Sequence, residues 1–258
     1  MNALPKISII TPSYNQKKYI QQAIDSVFAQ RYPNLEFIII DGGSTDGTVD
    51  VLKHYSGNPQ FKWVSEHDAG QADAINKGLA MATGDIIAYL NSDDYYLPNT
   101  FASVVEFFDS HKKAMWVTGD YRIVDEKGKC IQLPVVWYKS FFRLFPSYVS
   151  LCITNFIAQP STFWKYRAFR SIGLFDTKLS YVLDYDYWMR MIKKYPLSVI
   201  RRSLSAFRIH KASKGGHLYR EQFKEENVVM QKYVSSRIMV KLHLLHNAII
   251  VKIYSLIK

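Results

Sequence analysis

Cysteine is scarce in this chain. Only Cys130 and Cys152 occur in 258 residues, with no C-x-x-C pair and no Cys/His spacing, which argues against a disulfide framework and a zinc site. Acidic residues are outnumbered too: 22 Asp and Glu face 33 Lys and Arg, for a net charge of +11. An excess of that sign attracts phosphorylated small molecules, anionic lipid or nucleic acid. The sequence carries no recognisable nucleic-acid module, so no nucleic-acid partner is expected. The opening residues Met1-Asn2-Ala3-Leu4-Pro5-Lys6 lack a cationic leader and a cleavage signal, which predicts a cytoplasmic protein. In the tail, Lys241, Lys252 and Lys258 break the apolar runs short of the roughly 20 residues a spanning helix needs.

Apolar residues are abundant. At 48% hydrophobic content the chain can bury one large core, or a core with a smaller lobe. Its first half alternates strand and helix. Lys6–Thr11 is a short apolar strand broken by Pro12-Ser13-Tyr14-Asn15, and a helical pattern follows through Ile20, Ala23, Ile24, Val27 and Phe28. Leu35–Ile40 is a second strand, ending at Asp41-Gly42-Gly43-Ser44-Thr45-Asp46-Gly47-Thr48. Phe61–Ser65 is a third and leads into the polar segment Glu66–Gly78; Asp85–Leu90 is a fourth and ends at Asn91-Ser92-Asp93-Asp94. This alternation implies a parallel sheet, whose ligands sit beyond the carboxyl ends of the strands. Gly42-Gly43 lets backbone approach a ligand, Asp41 can accept hydrogen bonds from a base or ribose, and paired carboxylates suit Mg²⁺ or Mn²⁺. Each loop alone reads equally well as a turn or helix cap. Their recurrence at four successive strand ends points to a site.

In order and spacing, Thr11-Pro12-Ser13-Tyr14-Asn15, Asp41 to Thr48, Gly70 to Gly78 and Asn91-Ser92-Asp93-Asp94 resemble the family-two glycosyltransferases. The resemblance spans about residues 5 to 215. It implies an α/β chain of the GT-A nucleotide-diphospho-sugar transferase fold: a mostly parallel central sheet flanked by helices, with a C-terminal helical appendage. It further implies a nucleoside-diphosphate-sugar donor and a divalent cation, Mn²⁺ or Mg²⁺. Pro12, Ser13, Tyr14, Asn15 and Asp41 would line base and ribose, with Gly43, Gln71, Asp73, Asn76, Lys77, Asn91 and Ser92 completing the substrate site. Asp93, with Asp94 beside it, would be the metal carboxylate of the family's D-x-D pattern, although Asn91 stands where that pattern begins with aspartate.

The second half reads as strand-turn-strand from Met115 to Leu133, with Met115–Asp120, then Tyr121–Val124, and a turn at Asp125-Glu126-Lys127-Gly128. A segment rich in aromatics follows, suited to lobe packing, sugar stacking or lipid contact. Asp184 falls at a helix start, where it reads as a cap whose anion the dipole favours. By the resemblance it matches the aspartate of the family's Glu-Asp motif, the base that deprotonates the acceptor hydroxyl in inverting members; Leu183 replaces the Glu. Ala206–Ser213 resembles the family's Tyr-Arg-x-His-x-x-Ser ending, which makes His210 a metal or diphosphate contact. Arg208 and Lys211 flank it, placed to offset diphosphate charge.

Ile238, Leu242, Leu245, Ile249, Ile253 and Leu256 form an apolar stripe on a final helix. Such a stripe docks on the chain's own core, seals a homodimer, or lies on an anionic membrane surface. The expected organisation is a GT-A domain over 1–215, with a nucleotide-sugar half 1–114 and an acceptor half 115–215, and a helical tail 216–258. The expected reaction is inverting, metal-dependent sugar transfer to a glycan or lipid-linked acceptor in surface polysaccharide or lipid-linked glycan synthesis. The expected location is the cytoplasm or the inner face of the plasma membrane. Because of Asn91 and Leu183, a catalytically inactive nucleotide-sugar-binding or scaffold protein is the alternative.

Overall fold

The computed structural model describes residues 4–211, 213 and 219–257. The four expected strands form as β1 (Ile7–Ser13), β2 (Leu35–Asp41), β3 (Phe61–Ser65) and β4 (Ile86–Tyr89). They are joined by α1 (Ile20–Phe28), α2 (Thr48–Tyr55) and α3 (Gln71–Met81). Every residue of β1, β2 and β4 is buried, as strands covered by helices on both faces require. After β5 (Tyr95–Tyr96) and α4 (Thr100–Ser110) come β6 (Trp116–Val124), α5 (Leu133–Leu144), α6 (Tyr148–Ile153), β7 (Thr162–Lys165), α7 (Tyr166–Ile172), α8 (Leu183–Lys194) and β8 (Ser198–Arg208). The tail forms α9 (Tyr219–Tyr233) and α10 (Arg237–Ile257).

The strands make one eight-stranded sheet in the order β3-β2-β1-β4-β7-β6-β8-β5. Its β3-β2-β1-β4 block is parallel, as expected. Beyond it β7 runs antiparallel to both β4 and β6, β8 is parallel to β6, and β5 is antiparallel to β8, so the sheet as a whole is mixed. The expected strands Met115–Asp120 and Tyr121–Val124 are one continuous strand, β6, and the turn expected at 125–128 follows it, with the Gly128 N–H donating to the Asp125 carbonyl at 3.1 Å. The register of β6 against β8 shifts at Gly119-Asp120 and Asp120-Tyr121. A Cβ at Gly119 would come within 2.5 Å of Leu204, so glycine there admits the neighbouring strand.

Strand alternation sorts the core to the two faces. Ile10, Ile38, Ile40, Ile87 and Tyr89 pack with α3, α8 and α9, where Trp188 meets Trp116 and Trp164 at ring distances of 5.6 and 5.7 Å. Ile7, Ile9, Phe37, Ile39, Ile86 and Ala88 pack with α1 and α4 on the other face.

The tail is joined to this core, but not through the predicted stripe. Val229, Met230 and Val234 enter the core from α9, while α10 turns Met239, Val240, His243 and Asn247 inward. Ile238, Leu242, Leu245 and Ile249 are exposed, at 72%, 50%, 60% and 50%. The side chains of Ile253 and Leu256 lie outside the described residues.

One buried acid stitches the lower edge of the parallel block. Glu36 on β2 accepts hydrogen bonds from the Ser8 hydroxyl (2.6 Å), the Thr83 N–H (2.8 Å) and the ammonium groups of Lys6 and Lys62 (3.2 and 3.0 Å). Burial alone would raise its pKa; the hydrogen bonds from Ser8, Thr83 and the lysines overcome that and lower it to about 2. A depressed folded-state value gives stability that is complete above the unfolded carboxylate range and drains away as pH falls toward about 2. Between pH 7 and pH 3, urea unfolding of the native chain should lose about 2 kcal/mol that Glu36→Gln does not lose. Equal acid sensitivity in the two proteins would remove Glu36 from this role.

Candidate active site

Parallel pairing of β1 with β2 sets Ser13 opposite Asp41, so the loops that follow emerge side by side. Asn15 adopts a positive φ of 52°, donates its N–H to Ser44 Oγ at 2.7 Å, and accepts from the Thr45 N–H at 3.0 Å. The buried Asp41 carboxylate accepts from the Ser44 N–H at 2.9 Å and the Ser65 hydroxyl at 2.7 Å, tying β1, β2 and β3 ends together. Gly42 has no room for a side chain: a Cβ would sit 2.7 Å from the Asp68 carboxylate. Gly43 holds φ at +81°, which an L side chain resists. Of the five residues expected to line base and ribose, Pro12, Ser13 and Asp41 are buried beneath the rim, and Tyr14 and Asn15 are exposed on it.

The start of α3 is built by its own acids. Asp68 accepts from the Gly70 N–H and Asp73 from the Ala69 N–H, at 2.8 and 3.0 Å. Lys77 pairs with Glu66 at 3.0 Å and Asp73 at 3.6 Å. Gln71 reaches across to Asn91, donating to its Oδ1 at 2.8 Å. Asn76 faces elsewhere: its amide donates to the Phe175 carbonyl and accepts from the Phe175 N–H, at 3.0 and 2.9 Å. That double bond to backbone occupies the side chain in joining α3 to the segment before α8, in place of the expected substrate contact.

Beyond β4, Asn91 donates to Gln159 Oε1 at 3.0 Å and to Asp94 Oδ2 at 3.2 Å. Ser92 and Asp94 are buried. Asp94 also accepts the Arg208 N–H at 2.8 Å, and burial followed by the nearby Asp93 charge raises its pKa well above the carboxylate range. Asn91 and the Arg208 N–H thus engage both of its oxygens, and Asp94 is the more enclosed of the two acids. Asp93 points the other way, one-fifth exposed, with its Oδ2 3.0 Å from His210 Nε2. Tyr19 lies against the His210 ring at 4.6 Å.

Asp93 and His210 come from residues 117 apart in sequence and form one carboxylate-imidazole pair. Mg²⁺ and Mn²⁺ are commonly held by one or two protein groups, with phosphate oxygens and water filling the remaining positions, so this pair fits such a cation. Among the described residues there is no cluster of three or more His, Cys, Asp or Glu.

Arg208 was expected to face a diphosphate. It is 2% exposed and turned inward. Its Nε donates to the Asp93 carbonyl at 2.9 Å, its terminal nitrogens to the Asp125 and Glu126 carbonyls at 3.2 and 3.1 Å and to the Gln22 side chain, and Tyr19 and Tyr95 flank it at 5.1 and 5.3 Å. Lys211 remains exposed. It lines a cleft of about 400 Å³ with Asn15, Lys18, Tyr19, Glu126 and His210. Nothing in the local sequence pattern signals Tyr19 or Glu126: Tyr19 joins the site by lying against His210 and Arg208, and Glu126 by its ion pair with Lys18 at 2.6 Å.

Asp184 opens α8. Its Oδ1 accepts the Tyr185 N–H at 2.8 Å and its Oδ2 lies 3.5 Å from the Asn155 amide. Burial raises its pKa, while the Tyr185 N–H and the Lys139 charge oppose the rise. A carboxylate held above its ordinary range is a better proton acceptor. Tyr89, at the end of β4, lies in the fields of both Asp184 and Asp94, which places the acid of α8 near the strand that delivers Asp93. Leu183 is packed in the core.

A family model described as glycosyl transferase family 2 matches residues 8–170. The chain is 30% identical over 214 residues to an uncharacterized glycosyltransferase of Rickettsia typhi, covering 81% of this chain and 65% of that protein. It is 31% identical over 192 residues to hyaluronan synthase of Pasteurella multocida, covering 74% of this chain and 19% of that one. The chain therefore spans less than two thirds of either relative. Among solved structures, the fold matches a mannosyltransferase from Pyrobaculum calidifontis in complex with GDP-Man and Mn²⁺, with a TM-score of 0.70 at 19% identity, covering 96% of this chain and 70% of that one. It also matches S. aureus TarS 1-349 in complex with UDP-GlcNAc, with a TM-score of 0.68 at 18% identity, covering 87% and 65%.

Replacing Arg208 by methionine keeps most of its volume and removes every one of its guanidinium donors. The partly buried carbonyls of Asp93 and Asp125 and that of Glu126 would then lose their shared donor, and the link between the loop after β4 and the turn after β6 would be cut. Chemical denaturation should show a loss of about 3 kcal/mol, the usual cost of breaking one side of a buried charged network. A loss under about 0.5 kcal/mol, the scale of an ordinary surface substitution, would mean that the clamp does not stabilise the site.

Proposed function

This chain belongs to glycosyl transferase family 2, and on that premise we propose that it transfers a sugar from a nucleoside-diphosphate-sugar donor to an acceptor hydroxyl with inversion. The observation that supports the proposal is a pair of unlike acid centres, one on the loop after β4 and one on α8 close enough to act on Tyr89 of β4. Asp93 lies against His210, and Asp184 stands at the start of α8 with a raised proton affinity. The donor's base and ribose are assigned to the rim formed by Tyr14 and Asn15, and its diphosphate to the cleft flanked by Lys18 and Lys211. Asp93 and His210 would hold a divalent cation there, supplying positive charge for the departing diphosphate. Asp184 takes the proton from the acceptor hydroxyl as that oxygen bonds to the anomeric carbon and the bond to the diphosphate oxygen breaks. Attack from the face opposite the leaving group inverts the centre.

The inactive-scaffold alternative draws its motive from Asn91 and Leu183. Asn91 is bound into a hydrogen-bond network and Leu183 into the core, and neither change removes Asp93 or Asp184. Polymer-synthase relatives such as hyaluronan synthase favour a role in surface polysaccharide or lipid-linked glycan assembly.

No helix of the described residues is long and apolar enough to cross a membrane. One face is nevertheless strongly apolar. Trp137, Phe141 and Phe145 are 69%, 59% and 65% exposed on and just after α5, and a 2.6 Å contact of the Tyr138 hydroxyl with His246 sets α5 beside α10 and its outward stripe. Arg237, Lys241 and Lys252 are exposed along the same helix. Aromatic and basic groups together suit the surface of an anionic bilayer, and this face is assigned to one.

Once a thermal-shift screen of nucleotide-sugars with Mn²⁺ has identified the donor, two variants test the chemistry. Asp184→Asn should lower turnover by about 10² to 10⁴ while calorimetric donor affinity holds; near-native turnover would sink the assignment. Asp93→Ala should abolish the metal-dependent part of donor affinity, and an unchanged metal dependence would free Asp93 of that role. For the membrane face, flotation with phosphatidylglycerol vesicles should recover the native chain and fail to recover Trp137→Ser/Phe141→Ser/Leu245→Ser. Equal recovery, with a concentration-dependent dimer lost in the triple variant, would give the face to a second copy instead.

A further inference from the structure

Two adjacent acids of α9 meet the start of α8, well beyond residue 170 where the family match ends. Glu225 accepts hydrogen bonds from the backbone N–H groups of Ser180, Tyr181 and Val182 at 2.9, 2.7 and 2.9 Å. Those three residues form the turn that delivers Asp184, so its backbone is anchored by the tail. Farther along α9, Tyr233 and Lys232 reach Asp186 at 2.6 and 3.2 Å and hold the two helices together.

Glu226 is 4% exposed. The charged and titratable groups around it come from each neighbouring element: Lys139 of α5, Asp184 and Tyr185 of α8, and His243 of α10. His243 Nε2 stands 3.9 Å from the Glu226 carboxylate, but burial lowers the imidazole's pKa and keeps it uncharged at neutral pH. Lys139 is therefore the cation that acts on both acids. Asn155 links them: its side-chain amide lies 3.5 Å from Asp184 Oδ2, and its backbone N–H faces Glu226.

We propose that α9 is a working part of the acceptor site, with Glu225 positioning Asp184 and Glu226 acting on it as a second ionisable carboxyl through shared Asn155 and Lys139. The functional meaning rests on Asp184 being the base; the coupling itself does not. Burial, against the pull of Lys139 and with the push of Asp184, raises Glu226 to about 7. Carboxyls that face the same lysine, with the charge of one acting on the other, have linked titrations. Near neutrality Glu226 gives up its proton, and the added negative charge makes Asp184 bind a proton more tightly. The base is thereby strongest when Glu226 is charged, and weaker in acid where Glu226 is neutral.

Carboxyl ¹³C NMR on the full chain, labelled at Asp and Glu and free of any substrate, tests this directly. In the native protein the Asp184 signal should show an inflection near pH 7 in addition to its own. In Glu226→Gln that inflection should vanish while the main Asp184 midpoint, reached where Glu226 is already neutral, should hold; in Asp184→Asn the Glu226 midpoint should move down from about 7. The two arms read one coupling from opposite ends, so loss of fold in either variant leaves the other decisive. An Asp184 inflection near pH 7 retained in folded Glu226→Gln, or a Glu226 titration unchanged in folded Asp184→Asn, overturns the proposal. Glu225→Ala should release the amides of residues 180–182 to faster hydrogen exchange, and unchanged protection would overturn the positioning role. Since no turnover is measured, failure of this coupling and failure of Asp184 as base are distinct results.

Discussion

The end of the sheet where Asp93 meets His210 hangs on one buried cation. Arg208 carries its charge into a place where solvent cannot reach it, and the cost of doing so is offset by carbonyl dipoles, a glutamine side chain and two tyrosine faces. Each of those partners comes from a different part of the chain: the loop after β4, the turn after β6, and α1. Their convergence fixes where β8 ends, and therefore where His210, two residues on, meets Asp93. An arginine beside a proposed diphosphate site is easily taken for a ligand; here its value is geometric. The positive groups left facing the cleft are the lysines, whose flexible stems suit a phosphate chain better than a fixed lattice.

The first half of the fold was legible in the sequence because its signals are local. Strand runs, glycines at strand ends and polar loops lie within a few residues of one another, and the parallel block they imply is present. What escaped depends on partners far away. Asn76 binds backbone 99 residues distant, and Arg208 reaches Gln22 across 186. No short window distinguishes such a staple from a ligand contact. The single strand β6 was split in expectation because its bulge at Gly119-Asp120 interrupts the alternation that marks a strand.

The tail shows a different limit. Apolar periodicity correctly marked a helix, yet it singled out the face turned away from the core. The inward face carries His243 and Asn247 because what they meet is polar: Glu226, Asn227 and the Ile153 carbonyl. An apolar side chain there would leave those groups unsatisfied, at a cost greater than the hydrophobic gain. Periodicity thus identifies an interface without saying which of two faces belongs to the molecule itself. It also follows that the division at residue 215 separates sequence segments but not structural units, since α9 holds the turn before Asp184.

Asn91 can be understood in the same terms. Its Oδ1 accepts from Gln71, its amide donates to Asp94 and to Gln159, and Gln159 in turn donates to the Tyr89 carbonyl at 2.7 Å. This chain runs from α3 on the donor side to the segment before β7 on the other. An aspartate at the same place could still accept from Gln71. It could not donate to Asp94 Oδ2 or to Gln159 Oε1, both of which accept from the Asn91 amide. With Asp94 enclosed, the amide is the group that satisfies the loop. The departure from the family's pattern at Asn91 is then the counterpart of burying Asp94, and the two residues are better regarded as one arrangement than as a lost ligand beside a retained one.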